Sequence, residues 1–293
     1  MRASGTVVVR MLLPAALAAA TLSGMVAHHA WGRAVEQPRW RLVWGDEFDG
    51  AAGETVDTLS WSFDRGDGCA DANCGWGNEE KQSYTSDGAN AALTGDGMLA
   101  ITARRAAGTT ACYYGPCRYT SARLTTKGKV GIRFGRVEAR IRLPTGQGLW
   151  PAFWMLGEGF PSVGWPDCGE LDIMEHHGSM PGNVSSAMHG PGYSGSGAIV
   201  HAHAPAGADF TTGFHRYAVQ WDSTVVRFLV DDEPHFVVTR REVEARGTWS
   251  FDHPFYLILN LAVGGTFDDD PKSDAVLPAT MLVDYVRVYR RAP

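Results

Sequence analysis

Glu170, Asp172 and Glu175 stand within six residues of one another, in the run Gly169-Glu170-Leu171-Asp172-Ile173-Met174-Glu175-His176. Like charges in a row on one sheet face are destabilising, so a row kept in spite of that points to chemistry. Two carboxyl groups flanking a sugar–sugar bond can break it. One protonates the leaving oxygen while the other attacks the sugar carbon or activates water. A third acid between them hydrogen-bonds or holds a proton, raising one pKa and lowering another. Without chemistry, the same residues would be a solvated acidic edge strand, or a cation site completed by His176, His177 or His189. The acids do not follow the calcium-loop spacing, and no His-Glu-x-x-His motif is present.

The element that positions them must be a strand, and an irregular one. With a period of two, Glu170 and Asp172 share a face while Leu171 and Ile173 point to the core. Regular continuation would put Met174 beside the acids and Glu175 in the core. An ionised Glu in an apolar core is very costly. One extra residue, taken up as a β-bulge, shifts the register and returns Glu175 to the acidic face. Neighbouring acids are then ~7 Å apart along the backbone. Glu170 and Glu175 stand about twice that apart in a flat strand, and a retaining hydrolase needs its carboxyl groups ~5–5.5 Å apart. Long side chains leaning inward over a curved sheet close that gap.

The rest of the chain reads as strands and turns. Val137, Ala139, Ile141 and Leu143 alternate with Arg136, Glu138, Arg140 and Arg142, the pattern of a strand with one apolar face. Trp40, Leu42 and Trp44 alternate in the same way. Further strands are expected at 98–103, 149–156, 170–175, 216–221, 225–230, 255–263 and 281–289. Gly, Pro and Asp clusters separate them, and only 241–246 reads as helix. Many short strands without intervening helices argue for a sandwich or jelly roll. A net charge of −6 with no basic stripe argues against a nucleic-acid partner.

At the N-terminus, Arg2 and Arg10 flank the apolar run from Met11 to Leu22, with small residues after it. That is the pattern of an export signal, and the run is too short to span a membrane. Residues 1–34 are read as signal and N-terminal segment, and 35–293 as one catalytic domain. The protein is expected to be secreted, with no membrane association once the signal is removed. Export permits disulfides. Cys69, Cys74, Cys112 and Cys117 can pair in three ways; two local bridges are the simplest, and bridges between the two loops stay open. Cys168 is left over and reads as a buried thiol.

The bulged Glu-x-Asp-x-x-Glu run resembles glycoside hydrolase family 16, in its bacterial laminarinase (endo-1,3-β-glucanase) branch. Ordered matches extend from Trp44 to Tyr289. They include Trp44-Gly45-Asp46-Glu47-Phe48, Gly75-Trp76-Gly77-Asn78, Gly148-Leu149-Trp150-Pro151-Ala152-Phe153-Trp154 and Leu259-Asn260-Leu261-Ala262-Val263-Gly264-Gly265. The resemblance implies an all-β jelly roll of two antiparallel sheets with a concave substrate cleft. It implies Glu170 as nucleophile, Glu175 as general acid/base and Asp172 as their assistant, with no cofactor for catalysis. For substrate contacts it implies Asn78, Arg123, Trp150, Trp154, Trp165, His189 and Asn260. It also implies a structural calcium on the convex face, held by the main-chain carbonyls of Glu47 and Gly97 and the Asp284 carboxylate. The expected partner is a β-glucan polysaccharide, laminarin-like or mixed-linked 1,3-1,4, and the expected state a monomer. A glycosidase of the same bulged branch acting on agar or carrageenan, and a non-catalytic glucan-binding lectin, are the alternatives. Three features depart from the family pattern: Lys81 where an apolar residue is common, the acidic run Asp268-Asp269-Asp270 where the family often has a loop with Asn and Trp, and the two short cysteine loops.

Overall fold

In the strand Gly135–Arg142 the alternation expected from the sequence is realised: Val137, Ala139 and Ile141 are fully buried in the main core. It pairs antiparallel on one side with His215–Trp221 and on the other with Ala279–Arg291. Its charged face is also largely covered. Arg136 pairs with Glu138 and, at 2.6 Å, with Asp232, and the Tyr285 hydroxyl donates to Glu138 at 3.0 Å. Buried charges persist where they are paired and hydrogen-bonded in this way.

The computed structural model of the chain describes residues 39–108, 110–160 and 162–292. The expected export signal lies outside them. The described residues form a jelly roll of two packed sheets. One sheet runs in the order Glu233–Thr239, Val225–Val230, His215–Trp221, Gly135–Arg142, Ala279–Arg291, Leu99–Arg105, Tyr119–Ser121, Gln82–Tyr84. The other, which carries the acids, runs Ile199–His203, Val184–His189, Glu170–Glu175, Leu149–Gly157, Phe255–Val263, Arg123–Thr125, Ser62–Asp64. Pairings are antiparallel except that of Gln82–Tyr84 with Tyr119–Ser121. Between the sheets lies one large cluster including Leu99, Ile101, Phe153, Leu171, Phe228, Phe255, Leu259 and Met281. The strand Phe255–Val263 is buried along its whole length, because both faces are covered and it sits inside its sheet.

Two expectations needed adjustment. In Trp40–Asp46 the register against Ala279–Arg291 slips between Leu42 and Trp44. The slip absorbs Val43, so Leu42 and Trp44 no longer share a face: Trp44 packs on the core while Leu42 is 50% exposed. The helix runs Arg240–Glu244, one residue earlier than expected, because Thr239 and Glu242 form a reciprocal capping box that fixes where the first turn starts.

The cysteines form the two local bridges, Cys69–Cys74 and Cys112–Cys117, and Cys168 is a buried free thiol. Burial, with the Glu170 charge adding to it, pushes that thiol up to about 11, so it stays protonated and is no nucleophile.

Candidate active site

The strand Glu170–Glu175 has the expected bounds and the expected bulge. Against Leu149–Gly157, Asp172 pairs with Trp154 and Met174 with Phe153, so Ile173 is skipped. Against Val184–His189, Asp172 pairs with Ala187 and Glu175 with Ser185. Ile173 and Met174 together thus oppose Ser186 alone. Leu171, Ile173 and Met174 are all buried in the core, which leaves Glu170, Asp172 and Glu175 on the other face. The Ser186 hydroxyl donates to the Ile173 carbonyl at 2.8 Å, satisfying a main-chain group that the bulge takes out of the ladder. Gly169 starts the strand at φ +70°, and a Cβ there would lie 2.4 Å from the Ser250 carbonyl, so only glycine fits the entry.

The acids sit where charge is costly. Burial first, then the charge of Asp172, pushes Glu170 up to about 8. Burial and then Asp172 also raise Glu175, while the Trp150 indole and His189 oppose the rise. Asp172 is raised by burial. Three mutually repelling carboxyls in one partly buried site cannot all ionise near neutrality, so the cluster retains protons and titrates as a unit.

His189 supplies the nearest counter-group. Its Nε2 lies 3.1 Å from Asp172 Oδ2 and 3.7 Å from Glu170 Oε1. Its Nδ1 accepts from the Gly195 amide at 3.2 Å, which leaves the ring hydrogen on Nε2, the nitrogen that faces the acids. Asp172 Oδ2 is buried and has no hydrogen-bond partner; the His189 ring nitrogen is close to it but not aligned for a hydrogen bond. Glu170, Asp172 and His189 each offer a donor atom within 4.8 Å of the other two, a set that also suits a divalent cation.

Two indoles flank this row. Trp150 and Trp154 share a face of Leu149–Gly157, as their spacing requires. Trp150 Nε1 donates to Glu175 Oε1 at 3.1 Å, and its ring stacks on Phe267 with centroids 4.4 Å apart. Phe267 stacks in turn on His177 at 3.8 Å. Asp268 anchors this loop. It is buried, accepts from the amides of Gly148 (2.9 Å) and Ser179 (3.1 Å), and bonds the Ser179 hydroxyl. The first residue of the acidic run therefore ties loops together. Asp270 faces Gly265 and Arg118.

Trp154 Nε1 donates to Asn260 Oδ1 at 2.7 Å, and Asn260 Nδ2 donates to the Tyr84 hydroxyl at 3.1 Å. Tyr84 donates to Glu80 Oε2 at 3.1 Å, and Gln82 donates to the same oxygen at 2.6 Å. Asn260 is thus buried beneath Trp154 and holds that ring in place, its amide already engaged on both sides. Arg123 pairs with Asp64 at 2.8 Å and lies between the rings of Trp76 (4.5 Å) and Trp154 (4.8 Å), a stacked arrangement that suits guanidinium.

Asn78 is half-buried beside Trp76 and Glu80. Trp165 is 46% exposed, with its ring 5.8 Å from that of His189. The two disulfide loops meet next to Asn78: the Tyr113 amide bonds Asp67 at 2.6 Å, and its hydroxyl donates to the Glu79 carbonyl at 2.9 Å. Lys81, the unusual residue, donates to that same hydroxyl at 3.0 Å. Glu80, Tyr84, Phe267 and Asp268 were not among the sequence candidates. Glu80, Gln82 and Tyr84 do stand at alternate positions, the one signal that could have grouped them.

The three residues expected to hold calcium lie apart from the acids in sequence and strand. Asp284 is on Ala279–Arg291, and its Oδ2 pairs with Arg140 at 2.6 Å. The Glu47 side chain is turned to Arg287 at 2.8 Å, so only its carbonyl is a candidate ligand. Gly97 has φ +80°, and a Cβ there would meet Asp49 Oδ1 at 3.4 Å. Main-chain carbonyls and carboxylates are the oxygen donors calcium takes, so the donor types suit such an ion, which would serve structure and not bond cleavage, while the Asp284 carboxylate is engaged by Arg140.

Residues 71–287 match the family described as Glycosyl hydrolases family 16. The chain is 40% identical over 266 residues to a protein of Rhodothermus marinus named "Beta-glucanase", covering 88% of each. An endo-β-1,3-glucanase structure from Pyrococcus furiosus aligns over 87% of this chain and 96% of its own, at 46% identity and a TM-score of 0.82. The laminarinase catalytic domain from Thermotoga maritima aligns over 87% of this chain and 99% of its own, at 43% identity and a TM-score of 0.81.

Proposed function

This chain belongs to family 16 of the glycosyl hydrolases, and from that membership and the site geometry we propose that it is a secreted, retaining endo-β-glucanase acting on 1,3-β-glucan. Mixed-linked 1,3-1,4-β-glucan is the second substrate. The relatives' names support the substrate class. The observation that carries the reading is the bulge, which turns Glu175 out of the core and onto the face that holds Glu170 and Asp172.

In the mechanism, Glu170 attacks the anomeric carbon as a carboxylate while Glu175 donates its proton to the departing glycosidic oxygen. A covalent glycosyl-enzyme forms at Glu170. Glu175, now ionised, takes a proton from water, and the water displaces Glu170 from the sugar. The charge count favours this order. Before attack the pair holds one negative charge, on Glu170; after attack it still holds one, on Glu175. The repulsion from Asp172 that helps raise Glu170 and Glu175 therefore does not grow along the reaction. Trp150 Nε1–H is placed to stabilise Glu175 as it becomes an anion. Asp172, beside His189 Nε2 at 3.1 Å, stands between the two and opposes simultaneous ionisation of both. Trp150, Trp154 and Trp165 offer flat apolar faces to pyranose rings, and Arg123 and Asn78 offer donors.

Calcium bound by the Glu47 and Gly97 carbonyls and Asp284 stabilises the fold in this account. Export follows from the N-terminal signal pattern, and the working state is a monomer. A panel of polysaccharides with product analysis tests the assignment. Oligosaccharides released from laminarin and from mixed-linked glucan, with none from agar or carrageenan, are the expected outcome. Binding to glucan with no product would overturn it in favour of a lectin.

A further inference from the structure

His201 and His203 lie two apart on Ile199–His203, the edge strand of the acid-bearing sheet, and so share a face. His235 lies on Glu233–Thr239, the edge strand of the opposite sheet. The three rings gather between these edges: the His235 centroid is 4.8 Å from that of His203 and 5.7 Å from that of His201. We propose that His201, His203 and His235 form a site for a divalent transition-metal cation that clips the free edges of the two sheets together.

The hydrogen bonds fix which nitrogen of His235 is available. Its Nε2 lies 3.2 Å from the Ser186 hydroxyl. Ser186 has one proton, and that proton goes to the Ile173 carbonyl at 2.8 Å. His235 Nε2 must therefore be the donor, which leaves the lone pair of the neutral ring on Nδ1. Nδ1 is buried and has no hydrogen-bond partner. A buried acceptor without a partner costs stability, and a metal ion satisfies it. Burial, with His203 and then His201 adding to it, pushes His235 down to about 4, so the ring is neutral and able to ligate at ordinary pH. A histidine ligand that donates its other ring N–H to a fixed acceptor is the usual outer-shell arrangement of metal sites.

The two ring separations from His235, 4.8 and 5.7 Å, are near those of a metal site, and the ligand nitrogens come together once the His201 and His203 rings turn. Imidazoles ligating one tetrahedral ion at ~2.0–2.1 Å have ring centroids about 5 Å apart. His201 is exposed and His203 half-buried, so both can turn their rings to converge on Nδ1. Phe236, 5.3 Å from His201, and Phe210, 5.9 Å from His203, wall the site with apolar surface. The nearby His215 is already paired with Asp231 at 2.7 Å. Three imidazoles with no carboxylate or thiolate select zinc, nickel, copper or cobalt over calcium and magnesium.

The test uses the full chain, stripped of metal with a chelator and titrated with cobalt(II) and zinc(II). The expected result is one ion per chain, a visible cobalt spectrum of a tetrahedral nitrogen site, and a higher melting temperature. His201→Asn and His203→Asn, both on the accessible edge, should each weaken binding at least ~10-fold and remove the rise in melting temperature. Absence of the cobalt spectrum, or binding that survives both substitutions unchanged, overturns the proposal.

Discussion

Trp150→Phe isolates the one hydrogen bond that favours Glu175 as an anion. Trp150 Nε1 donates to Glu175 Oε1 at 3.1 Å, and phenylalanine keeps an aromatic ring against Phe267 while removing the donor. A hydrogen bond to a charged group nets about 1.5–3 kcal/mol. Glu175 is half-buried, so water replaces part of it, leaving roughly 1 kcal/mol. At 1.36 kcal/mol per pH unit, that is a shift of about 0.5–1 unit. The donor favours the charged form, so its loss raises the pKa of the acid, and the proton needed for the leaving oxygen is held to higher pH. The assay is the pH profile of kcat/KM, whose basic limb reports the acid of the free enzyme. The limb should move up by that amount. An unmoved limb, or one that moves down, refutes the assignment of Glu175 as the acid held by Trp150. A change in the height of the profile alone decides nothing, since Trp150 also faces the cleft.

Glu170→Gln and Glu175→Gln should each lower kcat by ~10²–10⁴ or more without loss of fold, measured by initial rates and circular dichroism; near-native turnover in either removes its role. The same variants carry a stability prediction. Glu175 is raised from 4.5 to about 8, so the folded state binds more protons between those values and stability falls as pH rises through that window. Glu175→Gln abolishes that contribution, so its melting temperature should exceed that of the parent at pH 8 and approach it at pH 4. Calcium should raise the melting temperature of chelator-treated protein, and Asp284→Ala should remove that rise; equal melting curves with and without calcium contradict the site.

The acid strand was legible because two simple rules conflict along it. Alternation sends Glu175 into the core, and electrostatics forbids that, so the sequence itself calls for a bulge at Ile173–Met174. The shared face of Trp150 and Trp154 follows from period two in the same way, whereas the strand pattern reached only a sandwich or jelly roll and the family resemblance narrowed it to the jelly roll. The polar network below the site did not follow. Tyr84 and Asn260 touch across 176 residues, and that contact depends on which strands become neighbours, a tertiary outcome that local pattern does not encode. Asp268 did not follow for a related reason: nothing local in three consecutive acids says which turns inward, and the first does so to accept from the amides of Gly148 and Ser179. At Val43 the reverse occurred, and a bulge with no charge to reveal it broke an alternation that looked regular.

The central claim is that the bulge-aligned acids cleave by double displacement on a 1,3-β-glucan. Proton NMR of the new reducing ends, recorded within the first minutes of hydrolysis, tests it most directly. The account predicts that the β-anomer appears first, with the α-anomer growing in later by mutarotation. Appearance of the α-anomer first contradicts it.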